Sequence, residues 1–129
     1  MPNAVAVKVL LVDDQNSVRQ MARITLEEIG FRQIQEAANG VEAMHTASLQ
    51  PIDLIISDYN MPEMDGLALL RAVRCHPVVR KVPFILLTGR GDRELVVKAA
   101  EAGVNNYLVK PFTAAILREK IEQVMGKLS

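Results

Sequence analysis

Three short runs, VLLV (9–12), LIIS (54–57) and FILLT (84–88), are continuously apolar up to a closing Ser57 or Thr88 in the second and third, and do not alternate. A strand that shows water one face alternates apolar and polar residues. A continuous run of this length is what a strand needs when both of its faces are covered. YLVK (107–110) is a fourth run of the same kind, and RQIQEAAN (32–39) is a weaker strand with a more polar side. Between them lie segments with helical spacing. Val18, Met21, Ala22, Thr25 and Ile29 share one face of a first helix, with Asn16 or Ser17 in place to cap it and Gly30 to stop it. Gly40 opens a second helix that turns Ala43, Met44 and Ala47 inward, ahead of Pro51. Leu67, Leu70 and Val73 line a third, ending near His76-Pro77, and residues 92–103 form a fourth that stops at Gly103. Leu117, Ile121, Val124 and Leu128 are the stripe of a fifth.

Strand and helix therefore alternate five times. With right-handed crossovers, that order predicts a parallel sheet between two layers of helices. At 129 residues and 50% hydrophobic content the chain is one domain over 1–129. Its core is expected over about 7–127, with residues 1–6 and the last two or three as tails. Lys plus Arg and Asp plus Glu both number 15, so no bulk charge draws the chain to nucleic acid or to a membrane surface. The single cysteine, Cys75, permits no internal disulfide and no cysteine-based metal framework, as in a reducing compartment. The first residues lack a basic start and a small-residue cleavage site, and no run approaches the ~20 apolar residues of a membrane span. A cytoplasmic protein is expected.

The residues that follow the runs carry chemistry. Asp13 and Asp14 follow the first, Asp58 the third strand, Thr88 and Gly89 the fourth, and Lys110 and Pro111 the fifth. All lie at carboxyl ends of expected parallel strands, the edge where open α/β sheets bind ligands. Three carboxylates in one partly desolvated cleft repel one another, and Lys110 offsets only one of them. A small divalent cation offsets two. Mg²⁺ fits because it takes few protein carboxylates and leaves positions for phosphate oxygens, whereas softer metals would want His or Cys. Lys110, the Thr88 hydroxyl and the Gly89 amide are the group types that hold a phosphoryl group, and a carboxylate can be its acceptor. Asp58, on the central strand, is the candidate.

LLVDD, DLIISDYNMPEMDGL, ILLTG and YLVKPF, in that order, resemble the receiver domain of two-component response regulators over nearly the whole chain. ISDYNMPEMDGL and KPFTAAILREKIEQVMGKL are most similar to its single-domain chemotaxis members, the CheY type. The resemblance implies a flavodoxin-like (CheY-like) three-layer sandwich, a five-stranded parallel sheet of order 2-1-3-4-5 with five helices. It implies Asp58 as phospho-acceptor and Asp13, Asp14 and Asp58 as holders of Mg²⁺, with the Asn60 backbone carbonyl completing the shell. It also implies Thr88 as the switch hydroxyl, Gly89 beside it, Lys110 as the partner of the phosphoryl group, and Tyr107 as the aromatic that turns inward when Thr88 moves. The Lys110-Pro111 bond matches the family's cis peptide.

The implied protein is a monomeric signalling switch and not an enzyme, although it assists its own phosphorylation and dephosphorylation. A sensor histidine kinase would donate the phosphoryl group. A changed surface of the fourth helix, fifth strand and fifth helix would then bind a target, such as a flagellar motor switch protein, and a phosphatase would be a further partner. A phosphorelay intermediate, passing the group to a histidine phosphotransfer protein, uses the same residues. An aspartate-nucleophile phosphatase would want a second Asp two residues after the first, where this chain has Asn60. Gly89, Arg90 and Gly91 make the loop after the fourth strand more permissive than the Ala-bearing form of the family. Asn60 and Arg90 flank the route of attacking water.

Several nearby residues have ordinary readings. Asp65-Gly66 is a turn into the third helix, Cys75-His76 a helix end, and His45 a solvent-facing helix residue. Lys120 and Lys127 are expected in solvent. Of Leu95, Val96 and Val97, one is expected to be exposed.

Overall fold

A computed structural model of the chain describes residues 2–89 and 93–129. Five strands, β1 (Lys8–Val12), β2 (Gln33–Ala37), β3 (Leu54–Asp58), β4 (Phe84–Thr88) and β5 (Asn106–Val109), alternate with five helices. The helices are α1 (Asn16–Ile29), α2 (Gly40–Leu49), α3 (Gly66–Cys75), α4 (Arg93–Glu101) and α5 (Ala114–Met125). All strand pairs are parallel, in the order β2-β1-β3-β4-β5. The readings at Arg90 and Gly91, and the start of the fourth helix at Asp92, lie outside the described residues.

The uniformly apolar runs are explained by two cores. Leu10, Val12, Ile55, Phe84 and Leu86 pack with Ala43, Ala47, Leu67, Leu70, Val73 and Leu95 under α2, α3 and α4. Their strand neighbours Val9, Leu11, Leu54, Ile56, Ile85 and Leu87 pack with Ala22, Leu26, Leu117 and Ile121 under α1 and α5. Successive strand residues point to opposite faces, so a central strand must be apolar throughout.

Helix ends follow local chemistry. The Asn39, Asp65 and Thr113 side chains accept hydrogen bonds from the backbone N–H groups of Glu42, Ala68 and Ile116, which makes them N-caps of α2, α3 and α5. Gly30 ends α1 at φ 126°, a conformation that favours glycine. Neither Asn16 nor Ser17 caps α1. Both fall inside the helix, and the capping position is Gln15, whose side chain makes no capping bond.

Three expectations about packing change. On α1 the buried residues are Ala22 and Leu26, while Met21 is 71% exposed. The helix is rotated toward Arg19 and Arg23, which reach Glu36 on β2. Of the expected tail over 1–6, the described residues 2–6 are not free, since Ala4 is 4% exposed and belongs to the α1–α5 core. Leu128 is buried there too, but from beyond the end of α5 and not as part of its stripe. The Ser129 N–H donates to the Pro2 carbonyl at 2.9 Å, so the two ends of the described chain meet. Other expectations stand: Val97 is exposed while Leu95 is buried, His45 is exposed, and α3 ends at Cys75 with His76 following. Among the described residues no helix is long and apolar enough to cross a membrane.

Candidate functional site

β1 and β3 run side by side in the middle of the sheet, with Val12 level with Ser57. The residues just past that level, Asp13, Asp14 and Asp58, therefore emerge together. Each offers a carboxylate oxygen within 4.8 Å of the others. Asp13 and Asp58 are buried, at 3% and 5% exposure, and Asp14 faces solvent. The Lys110 ammonium, brought in at the end of β5, lies 2.6 Å from Asp58 Oδ1, and the Lys110-Pro111 bond is cis. Thr88 is the last residue of β4, buried, and its carbonyl accepts the Lys110 N–H at 2.7 Å.

The electrostatics are those of a surplus of negative charge. Burial pushes the Asp13 carboxyl above the usual carboxylate range, and the neighbouring Asp58 and Asp14 add to this. The hydrogen bond from the Gln15 N–H, and the charge of Lys110, act against it. Among the described residues, one ammonium against three carboxylates leaves room for a divalent cation. The side-chain atoms on offer are all hard oxygens, which would suit Mg²⁺ and not a thiolate- or imidazole-seeking metal.

The structure brings most of the expected residues together, and the others lie around them. Asn60 is exposed two residues past Asp58. Gly89 is exposed at the end of β4, and a side chain there would enter open space. Tyr107, half-buried on β5, packs against the α2–α4 core, and its ring lies 5.6 Å from the Lys120 ammonium. Lys120 is thus half-buried against an aromatic face instead of fully solvated. Below the acidic residues runs a groove of about 320 Å³. Val18, Met21, Ala22 and Thr25 of α1 line it, with Pro111 and Phe112 opposite and Asp13 and Lys110 at its head.

Two features escaped the sequence reading. Gly66 sits so close to the Asp58 carbonyl that a Cβ there would lie 2.4 Å from that oxygen and 2.9 Å from Tyr59 Cα. The Asp-Gly pair had signalled only a turn. Arg19 donates from Nη1 to the Asp13 carbonyl at 2.7 Å and from Nε to Glu36 at 2.7 Å. An arginine near a helix start gives no warning of a partner on a strand 17 residues later.

A doubly wound sheet of this order, with acidic residues and one lysine gathered at its carboxyl edge, defines the class to which the chain belongs. Residues 9–122 match the response regulator receiver domain, and the chain is a member of that family. It is 47% identical over 128 residues to a probable chemotaxis protein CheY of Rhizobium etli, covering 99% of each chain. Among solved structures it resembles chemotaxis protein CheY4 of Vibrio cholerae at a TM-score of 0.85, with 37% identity over 92% of this chain and 98% of the other. It also resembles the receiver domain of a Pseudomonas aeruginosa sensor histidine kinase at a TM-score of 0.80, with 31% identity over 95% of this chain and 100% of the other. That receiver was solved with a magnesium ion coordinated in its active-site cleft.

Proposed function

We propose that the chain is a phosphorylation-activated switch of a two-component pathway, most plainly a chemotaxis pathway, with Asp58 as its phospho-acceptor. The observation that carries this reading is the gathering of Asp13, Asp14 and Asp58 within 4.8 Å, beside a lysine 2.6 Å from Asp58. A carboxylate oxygen of Asp58 attacks the phosphorus of a phosphohistidine on a sensor kinase. The new P–O bond forms, the P–N bond breaks, and its electron pair returns to the donor imidazole nitrogen. Lys110 holds the Asp58 carboxylate in place and neutralises one charge as the phosphoryl group arrives. Asp13, Asp14, Asp58 and the Asn60 carbonyl would hold Mg²⁺, which when bound supplies charge neutralisation and orientation for the phosphoryl oxygens. The chain acts as the acceptor of a single transfer and not as a turnover enzyme.

The switch follows from differential contacts. The Thr88 hydroxyl and the Gly89 N–H bind phosphoryl oxygens, and Thr88 moves toward them. Tyr107 turns into the space beneath, leaving Lys120, and the α4–β5–α5 surface changes for a target protein. The phosphoryl group can shift this equilibrium only by the contacts it makes in one state and not the other.

The reading is tested by a pull-down with Mg²⁺ and beryllofluoride, a mimic of the aspartyl phosphate. A partner retained only with the mimic is the expected result. The same proteins with and without it, or a mimic effect that survives Asp58→Asn, would overturn the reading.

A further inference from the structure

Outside the cleft, a dense polar cluster joins α1 to β2. The Glu36 carboxylate accepts from Arg19 Nε and Gln20 Nε2 on Oε1, each at 2.7 Å, and from Arg23 Nη1 on Oε2 at 2.7 Å. The same Arg19 guanidinium donates from Nη2 to Asn16 Oδ1 at 2.9 Å and from Nη1 to the Asp13 carbonyl at 2.7 Å. Three of its nitrogens are thus engaged, each in a different direction. A planar five-donor fork can do this; an ammonium could not.

The consequence falls on the acidic residues. The Asp13 N–H donates to the Ala37 carbonyl at 3.1 Å, its Oδ1 accepts from the Gln15 N–H at 2.9 Å, and its carbonyl is held by Arg19. The peptide joining Asp13 to Asp14 is planar, so fixing that carbonyl fixes the Asp14 N–H on the other side of the plane. Asp14 is exposed, and this plane fixes the backbone from which its side chain starts. Mutual repulsion of three carboxylates would otherwise spread them apart, and cation binding would have to reassemble them.

We infer that Arg19, itself fixed by Glu36, is a positioning residue that keeps Asp13 and Asp14 preassembled for a divalent cation. The inference rests on the reading that these carboxylates hold Mg²⁺. Arg23 provides the internal control. It also pairs with Glu36, but among its described bonds none reaches Asp13.

The test is a MgCl₂ titration followed by NMR on wild type, Arg19→Gln, Arg19→Lys and Arg23→Gln, with amide hydrogen exchange at Asp14 and Gln15 in metal-free protein. Arg19→Gln is expected to weaken Mg²⁺ binding ~10-fold, as loss of an outer-shell partner does, and to speed exchange at both amides. Arg19→Lys, which can reach one acceptor at a time, should fall between it and wild type and also guards against a misfolded Gln variant. Arg23→Gln should melt lower yet bind Mg²⁺ within about twofold of wild type. Equal weakening by Arg23→Gln, or unchanged binding and exchange in both Arg19 variants, would overturn the inference alone. A wild-type protein that takes up no Mg²⁺ would overturn the underlying reading and the inference with it.

Discussion

At Asp13 the structure places a carboxylate where it is least comfortable: 3% exposed, with two others within 4.8 Å. Burial, and then the charges of Asp58 and Asp14, raise its pKa when the chain folds. A carboxyl raised in the folded state contributes stability below the ordinary carboxylate range and loses it as pH rises through the raised value. At neutral pH the buried Asp13 charge therefore costs the metal-free protein stability. Asp13→Asn keeps the oxygen that accepts from Gln15 and removes the charge. It should raise the metal-free melting temperature at neutral pH by ~4 °C, about 1 kcal/mol for a domain of this size. It should also abolish most of the further rise that millimolar Mg²⁺ gives wild type. Calorimetric melting with and without Mg²⁺ checks both; a lower metal-free melting temperature for the variant would contradict the charge argument. The residue types of this site were legible in the sequence because each stands just after an apolar run. The Arg19 contact was not, because an arginine on a helix has many partners open to it and only the tertiary fold selects one.

At the scale of elements, α3 is set by a close backbone approach and α1 by a polar cluster. The α3 helix begins with Gly66, whose N–H donates to the Tyr59 carbonyl at 2.8 Å and whose Cα faces the Asp58 carbonyl. Gly66→Ala should cost ~1–3 kcal/mol by overpacking backbone that cannot move aside, and should slow phosphorylation of Asp58 by shifting its strand end. Gly40→Ala, where the neighbour is the flexible Met64 side chain, should cost less. Urea denaturation of the two variants checks the ranking. On α1 the Glu36 cluster decides the roll of the helix, and so the exposure of Met21. Apolar spacing alone left the roll open by one residue position. Burial, its largest influence, would raise the Glu36 carboxyl, but the Arg19 and Arg23 hydrogen bonds outweigh it and hold it below the usual range. A lowered carboxyl gives stability above the ordinary glutamate value and loses it as pH falls through the folded one. Glu36→Gln should thus destabilise by about 1–2 kcal/mol at neutral pH, and the difference should vanish in acid. An equal loss at both pH values would mean that the pairing with Arg19 and Arg23 is not the cause.

Across the whole molecule, one rule connects sequence to function. Parallel strands all point the same way, so residues that follow separate strands in the sequence meet at one edge of the sheet. That is why the architecture and most of the candidate site could be read from four apolar runs, one weaker strand and the polar residues that close or follow the runs. The ends of the chain could not, because nothing local marks Ala4 or Leu128 as core. Both are buried in the core that α1 and α5 cover, which only the tertiary fold assembles. Leu128→Ala should cost ~2–3 kcal/mol despite its place beside the last residue; a loss below about 0.5 kcal/mol, the scale of surface changes, would return it to a tail. The central claim is that the gathered carboxylates serve phosphoryl transfer onto Asp58. Its most direct test is mass spectrometry of the protein after incubation with phosphoramidate and Mg²⁺. One added phosphoryl group, located on Asp58, dependent on Mg²⁺ and absent from Asp58→Asn, is the expected result. A label that persists in Asp58→Asn, or a wild-type protein that takes none, would contradict it.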